Sequence, residues 1–465
     1  MINGPASGIA REVVESLEGE RLPLIAGRLL DRPLAWKLGK TIHASEVLAD
    51  AATVAVGLPV GQAVINLCEQ RYGFLVALCA ALQRGCVTLL PPSRAENVIA
   101  ELAAAYPGSH RCHDATISGV LGRRSVAAPV SGVPMLAADQ LALIGFTSGS
   151  TGQPAPHGKS WRSLTRTTEL NSGRIRSSIP EAHGSARPWI VATVPPQHMY
   201  GMEMSVLLPL LGDMGIHSGR PLFPADVAAA LADVPAPRVL VSTPLHLRAL
   251  ADSGQDFPDV AVVVSATASL DAALAAWVER RLRATVIDFL GSTETCVIAT
   301  REAAREESWC PYGGIVMTPG QTGTAVEAPW FDRPAVLQDI VEFLPDDSFV
   351  LRGRNTDVIE IAGKRASLAE LTHRMLAVPG VLDACVFQPD PPAQKKVRRV
   401  AALAVAPGLT AAAIIEQLRN SVDPAFLPRP LLIVATLPRN ETGKLPRENL
   451  LAELLAGGEG AGPRR

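Results

Sequence analysis

The chain has 465 residues, 48% of them apolar and 19% charged, enough to bury sizeable cores in roughly two or three folded units. Forty-three basic residues against 45 acidic ones leave a formal charge of -2, which supplies no net field to draw nucleic acid or an anionic membrane. The seven cysteines never form a C-x-x-C pair, which argues against zinc ligation and a disulfide framework and for reduced packing residues.

Residues 1–19 lack the apolar core of a signal peptide, and no apolar run reaches the ~18 residues of a membrane span, so the expected address is the cytoplasm. Residues 44–106 alternate helix-like stretches with short β-like runs such as Ala63 to Leu67, the pattern of an α/β layer architecture. Further β-like runs follow at Trp189 to Val194, Arg238 to Ser242, Val260 to Ser265 and Thr285 to Phe289, separated by alanine-rich helical segments such as Leu270 to Leu282. Composition changes near Gly353, and a helix is expected over Leu368 to Leu376. The reading is α/β: a large multi-layer α/β N-terminal domain over 1–353, a hinge at 354–357, and a small mobile α+β C-terminal domain over 358–456. The Gly-rich stretch 457–465 is expected to be a disordered tail.

The strongest local signal is Ile144-Gly145-Phe146-Thr147-Ser148-Gly149-Ser150-Thr151-Gly152, an apolar strand feeding a loop of Thr, Ser and Gly. Glycines let the backbone approach phosphate oxygens closely, and hydroxyls add neutral donors; a flexible turn has the same composition. No Lys-Ser/Thr follows at the spacing of a Walker loop. Farther on stand Gly291-Ser292-Thr293-Glu294, which alone is also a common helix N-cap sequence, and Asp339 with Gly353-Arg354 14 positions later. A carboxylate beside phosphates suits a hard Mg²⁺, an aspartate can accept from both ribose hydroxyls, and an arginine can reach ribose or phosphate. Near the C-terminus comes Pro438-Arg439-Asn440-Glu441-Thr442-Gly443-Lys444.

In order and spacing, these blocks resemble the adenylate-forming superfamily of acyl-CoA synthetases, adenylation domains and luciferases, whose signature loop reads T-S-G-S-T-G-x-P-K. The resemblance spans about residues 60 to 450. It implies that Thr147, Ser148, Gly149, Ser150, Thr151 and Gly152 wrap the phosphates of ATP, with Ser292 and Thr293 at the AMP phosphate and Glu294 holding Mg²⁺. It further implies that Asp339 and Arg354 bind the nucleotide, and that Lys444 bridges the attacking carboxylate and the α-phosphate. Thr147, Glu294 and Lys444 would be the catalytic set. Ala155 stands where the superfamily has the loop lysine, with Lys159 four positions on as a candidate substitute; Leu290 replaces the aromatic beside adenine, and Thr356 stands at the pivot.

The segment Pro195-Pro196-Gln197-His198-Met199-Tyr200-Gly201 matches the superfamily's P-x-x-H-x-x-G, so His198, Gly201 and Gly291 would border the acyl pocket. No aspartate is present there to pair with an α-ammonium, which disfavours an amino-acid substrate. Ile361-Ala362-Gly363-Lys364-Arg365 resembles the strand and turn lining the thiol tunnel, placing Gly363 and Arg365 along a pantetheine arm. The basic run Lys395-Lys396-Val397-Arg398-Arg399 could meet the 3′-phosphate of CoA, dock an acidic carrier, or be a solvated loop.

Only 45 positions separate Glu294 from Asp339, so the large domain is abbreviated. This compactness, with Asn66 to Tyr72 and Leu89 to Arg94, is similar to the stand-alone ligases of xanthomonadin and aryl-polyene pigment clusters. That resemblance implies loading of a hydroxybenzoate- or hydroxycinnamate-like acid onto a holo acyl carrier protein. An aryl- or acyl-CoA ligase and a non-catalytic nucleotide-binding regulatory protein are the alternatives.

Overall fold

The computed structural model describes residues 19–27, 30–123, 130, 132–148, 154–320, 323–354, 358–361, 364–389, 399–440 and 443–459. Internal contacts divide the chain into two units. The first comprises 1–306, 312–315 and 327–334; the second comprises 307–311, 316–326 and 335–465.

Two large sheets, beside a short pairing of Arg21–Pro23 with Met135–Ala137, form the first unit. One orders the strands His110–Cys112, Ala63–Asn66, Val87–Leu90 and Leu141–Ser148 in parallel, with Pro154–Ser160 antiparallel at the edge. The other runs parallel through Thr285–Ser292, Val262–Ser265, Arg238–Ser242, Trp189–Ala192, Gly215–His217 and Pro33–Lys37. Antiparallel strands Cys296–Arg301 and Lys40–His43 flank it.

Near-continuous Val/Ile/Leu runs suit strands covered on both faces, and the side-chain alternation shows it. Val262 and Val264 join one core cluster while Val263 joins another, and Val239 and Val241 are separated from Leu240 in the same way. The helix Arg71–Gln83 is buried almost all round, which is why its apolar residues follow no single stripe. Its first turn is closed by Asp114, whose carboxylate accepts from the N–H groups of Glu69 (2.8 Å) and Gln70 (3.1 Å).

The expected β-like runs became strands: Trp189–Ala192 and Val262–Ser265 with trimmed ends, Arg238–Ser242 as read, and Thr285–Ser292 running three residues farther than read. Cys310 is exposed, unlike the five buried cysteines, and all seven are free thiols.

The second unit holds the hairpin Asp339–Phe343/Phe349–Arg354 and the hairpin Val358–Ile361/Lys364–Ser367. It also holds a sheet of Asp383–Phe387, Ala401–Val405 and Leu431–Ile433. Alternation recurs there: Ala402 and Ala404 face one cluster with Met375 and Ile414, while Ala401 and Leu403 face Leu437 and Leu450 on the other side. The helix Leu368–Leu376 forms where it was expected.

Two expectations shift. The composition boundary at Gly353 falls inside the second unit as contacts divide the chain, within the strand Phe349–Arg354 that packs with the helix Leu368–Leu376. The C-terminal helix Arg447–Glu459 takes in 457–459, assigned above to the tail, since extending a formed helix costs far less than nucleating one. The rest of that tail, and 355–357 of the hinge, lie outside the described residues.

Candidate active site

Strand Leu141–Ser148 delivers the Thr/Ser/Gly loop at its carboxyl end, the side where parallel α/β sheets bind ligands. Thr147 pairs in register with Ala155 and Ser148 with Pro154 on the returning strand; Gly149, Ser150, Thr151 and Gly152 lie outside the described residues. A methyl group added at Gly145 would come within 2.6 Å of Thr293 Cγ2 and 3.8 Å of Met199 Sδ. Three separate blocks therefore converge behind the loop: its own strand, the Gly-Ser-Thr-Glu turn, and the His198-Met199-Tyr200-Gly201 segment.

The turn is built by its own hydroxyls. Thr295 Oγ1 accepts from the Ser292 N–H at 3.1 Å, and Ser292 Oγ accepts from the Glu294 N–H at 3.2 Å. At Gly291 a Cβ would lie 2.3 Å from the Cys296 carbonyl oxygen, so the tight return of the chain requires glycine. The register shifts between Leu290 and Gly291, an irregularity of the kind that re-aims side chains beside active sites.

Glu294 is half-buried, with Oε1 3.5 Å from His157 Nε2, and it borders a small polar cleft lined also by Asp332 and Arg333. Burial lowers the pKa of His157, as do the Lys159 and Arg333 charges, against the pull of Glu294. Among the described residues no three His, Cys, Asp or Glu side chains gather to cage a metal. One carboxylate is the donor set that suits Mg²⁺, which completes its shell from water and phosphate oxygens. Glu294 would hold it, and when bound the ion neutralises phosphate charge.

His198 precedes the short helix Met199–Met202 as its N-cap residue and is half-buried. Gly201 is fixed by close approach: a Cβ there would sit 1.9 Å from the Pro195 carbonyl oxygen. The Tyr200 hydroxyl points its one proton between the carbonyls of Ser242 (3.0 Å) and Val264 (2.9 Å), tying two strand ends together. Behind this segment the buried Arg71 guanidinium donates to the carbonyls of Ala192 (2.9 Å) and Val194 (3.1 Å). Desolvation lowers its pKa to about 9.

In the second unit, Asp339 and Arg354 stand directly opposite each other across one antiparallel hairpin, which accounts for the fixed spacing between them. Arg365 lies on strand Lys364–Ser367 opposite Glu360, and Gly363 falls outside the described residues. Lys444 is exposed on a loop closed by Gly443 at φ 79°. Its N–H donates to Asn440 Oδ1 at 2.9 Å. Arg439 pins this loop, donating to the Gly443 carbonyl (2.9 Å) and bidentately to Asp383 through Nη2 (2.8 Å) and Nε (3.2 Å).

The sequence pattern of the AMP-binding enzymes matches residues 92–326, half of the chain. This chain belongs to the AMP-binding enzyme family. It is thus an AMP-forming ligase that uses ATP and Mg²⁺ to adenylate a carboxylic acid. It is 29% identical over 326 residues to a 4-coumarate–CoA ligase of Halorhodospira halophila, covering 64% of this chain and 73% of that protein. Its fold is that of ATP-bound MatB from Rhodopseudomonas palustris, with TM-score 0.72 at 20% identity over 92% of this chain and 97% of that one. It is equally that of the o-succinylbenzoate CoA synthetase MenE from Bacillus subtilis, solved with its acyl-adenylate OSB-AMP. There the TM-score is 0.74 at 17% identity over 90% and 95% of the two chains.

Sequence reasoning missed His157 and Glu203, and it named Arg439 without its clasp on Asp383. His157 had a legible signal, because side chains alternate along a strand and place 155, 157 and 159 on one face. Glu203 had none, as its partner lies 94 residues away. Among the described residues no helix is long and apolar enough to cross a membrane.

Proposed function

We propose that this cytoplasmic AMP-binding enzyme activates an aryl carboxylic acid as its adenylate and transfers the aryl group to the phosphopantetheine thiol of an acyl carrier protein. The setting would be pigment synthesis of the aryl-polyene or xanthomonadin type. The observation that carries the adenylation step is the meeting of Gly145, Met199 and Thr293 in one place. It brings phosphate loop, cation-holding turn and acyl-pocket segment together in one unit.

In the first half-reaction the loop hydroxyls and N–H groups from Thr147 to Gly152 hold the triphosphate. Ser292 and Thr293 receive the α-phosphate, and Asp339 and Arg354 take the ribose. His198 orients the acid, with Gly201 and Gly291 leaving room for it. Lys444 supplies the cation that offsets charge growing on the α-phosphate as the carboxylate oxygen bonds to it and pyrophosphate departs. In the second half-reaction the thiol attacks the mixed anhydride and AMP leaves; rotation about 354–357 presents Gly363 and Arg365 to the pantetheine arm.

Likeness to a 4-coumarate–CoA ligase supports the aryl acid and favours CoA as a second reading of the acceptor. Mass spectrometry separates the two. The enzyme is incubated with ATP, Mg²⁺ and hydroxybenzoates or hydroxycinnamates, with CoA and a holo carrier protein in competition. An aryl mass added to the carrier supports the proposal, whereas exclusive aryl-CoA formation replaces it with the second reading.

A further inference from the structure

Lys159 lies at the buried end of strand Pro154–Ser160, 6% exposed, and its ammonium donates to the backbone carbonyl of Glu294. Three residues beyond Glu294, the N–H of Val297 donates at 3.1 Å to the carboxylate of Glu203, itself 4% exposed. Glu203 opens a π-turn, Glu203–Leu207, a local widening that recurs at functional sites. Two side chains of opposite charge thus hold the backbone at Glu294 and three residues after it. Their charges also act on each other: the Lys159 ammonium favours the ionised form of Glu203 against the burial that disfavours it.

A buried ammonium is costly without a nearby counter-charge and hydrogen-bond acceptors. Here the counter-charge is Glu203 and an acceptor is the Glu294 carbonyl, so the ammonium is committed to the turn. Mg²⁺ tolerates little departure from octahedral geometry, so a single liganding carboxylate depends on how rigidly its backbone is held.

We propose that Lys159 and Glu203 form a positioning pair that fixes the Glu294 carboxylate for the divalent cation accompanying the nucleotide phosphates. The proposal rests on Glu294 being that cation's ligand.

The test measures Mn²⁺ binding in the presence of a non-hydrolysable ATP analogue, by the electron paramagnetic resonance of free Mn²⁺, beside Mg²⁺ half-saturation of acid-dependent ATP–pyrophosphate exchange. Lys159→Met should weaken Mn²⁺ about tenfold or more and raise the Mg²⁺ half-saturation in parallel, with analogue affinity near wild type. Glu203→Gln keeps an acceptor for the Val297 N–H but strips the counter-charge, and should shift both readouts about threefold in the same direction. The double variant should lose less than the product of the single losses.

Wild-type Mn²⁺ affinity in folded Lys159→Met overturns the proposal, as does a loss confined to analogue affinity, which would put the ammonium on the triphosphate. Should Lys159→Met fail to fold, the isosteric Glu203→Gln decides, and unchanged Mn²⁺ affinity there overturns it equally. Absence of exchange in wild type with every acid would instead remove the functional reading, while the Mn²⁺ measurement still judges the pair.

Discussion

Gly201 and Gly291 are needed because backbone from elsewhere occupies the space of a side chain, with Pro195 and Cys296 carbonyl oxygens inside 2.5 Å of where a Cβ would be. Gly201→Ala should therefore destabilise the first unit by about 1–3 kcal/mol, visible as a lowered melting temperature; an unchanged melt would show the segment has room to move. Lys444 separates the two half-reactions. Lys444→Ala should lower adenylate formation about 100-fold or more while largely sparing thioester formation from supplied adenylate. Equal loss in both steps would remove the lysine from its assigned role. At this scale the sequence was most legible where chemistry constrains a short stretch, as from Gly291 to Thr295, where the Ser292 and Thr295 hydroxyls build the turn that carries the carboxylate. It was illegible where a residue acts across the fold: Lys159 meets the Glu294 carbonyl from 135 positions away, and nothing local to Lys159 marks that commitment.

The segment 437–447 shows how an element gains its shape from another. Asn440 and Lys444 close a small loop on each other, but its attachment comes from Arg439 clasping Asp383 on strand Asp383–Phe387. Both partners are half-buried, so Arg439→Ala should cost only about 1 kcal/mol of stability. Adenylation should nevertheless fall about tenfold or more, because misplacement of a catalytic cation by about an ångström suffices for that. A parallel drop in melting temperature and in both half-reactions would instead make Arg439 merely structural. Strands such as Val262–Ser265 were readable because burial on both faces leaves an uninterrupted apolar run. Their partners were not readable, since short runs of Val and Leu carry no record of neighbour or order.

Across the whole molecule, two buried carboxylates set an unusual pH dependence. Burial pushes Glu203 up to about 7 despite the Val297 N–H and Lys159, and pushes Asp288 up to about 7 despite its ion pair with Arg301 at 3.0 Å. Raised carboxylate pKa values mean the folded state holds protons that the unfolded chain has released. The stability they contribute is full below the unfolded values near 4 and is lost as pH rises through about 7. Histidines 157, 217 and 246, shifted down by burial, pull the opposite way, so the comparison must be between variants. Glu203→Gln should show a shallower fall in melting temperature from about pH 5.5 to about pH 7.5 than wild type; parallel curves would mean Glu203 titrates as it does unfolded. Contacts group 335–353 with the second unit, whereas composition put the boundary at Gly353. That grouping depends on strand pairing and helix packing, which composition does not encode.

Acid-dependent ATP–pyrophosphate exchange tests the central claim most directly. With Mg²⁺ and a panel of hydroxybenzoates, hydroxycinnamates, aliphatic acids and amino acids, label from pyrophosphate should enter ATP only when an aryl acid is present, and the aryl-AMP should be detectable by mass. Exchange with no acid in the panel, while ATP still binds, would contradict the account and leave a nucleotide-binding protein without this chemistry.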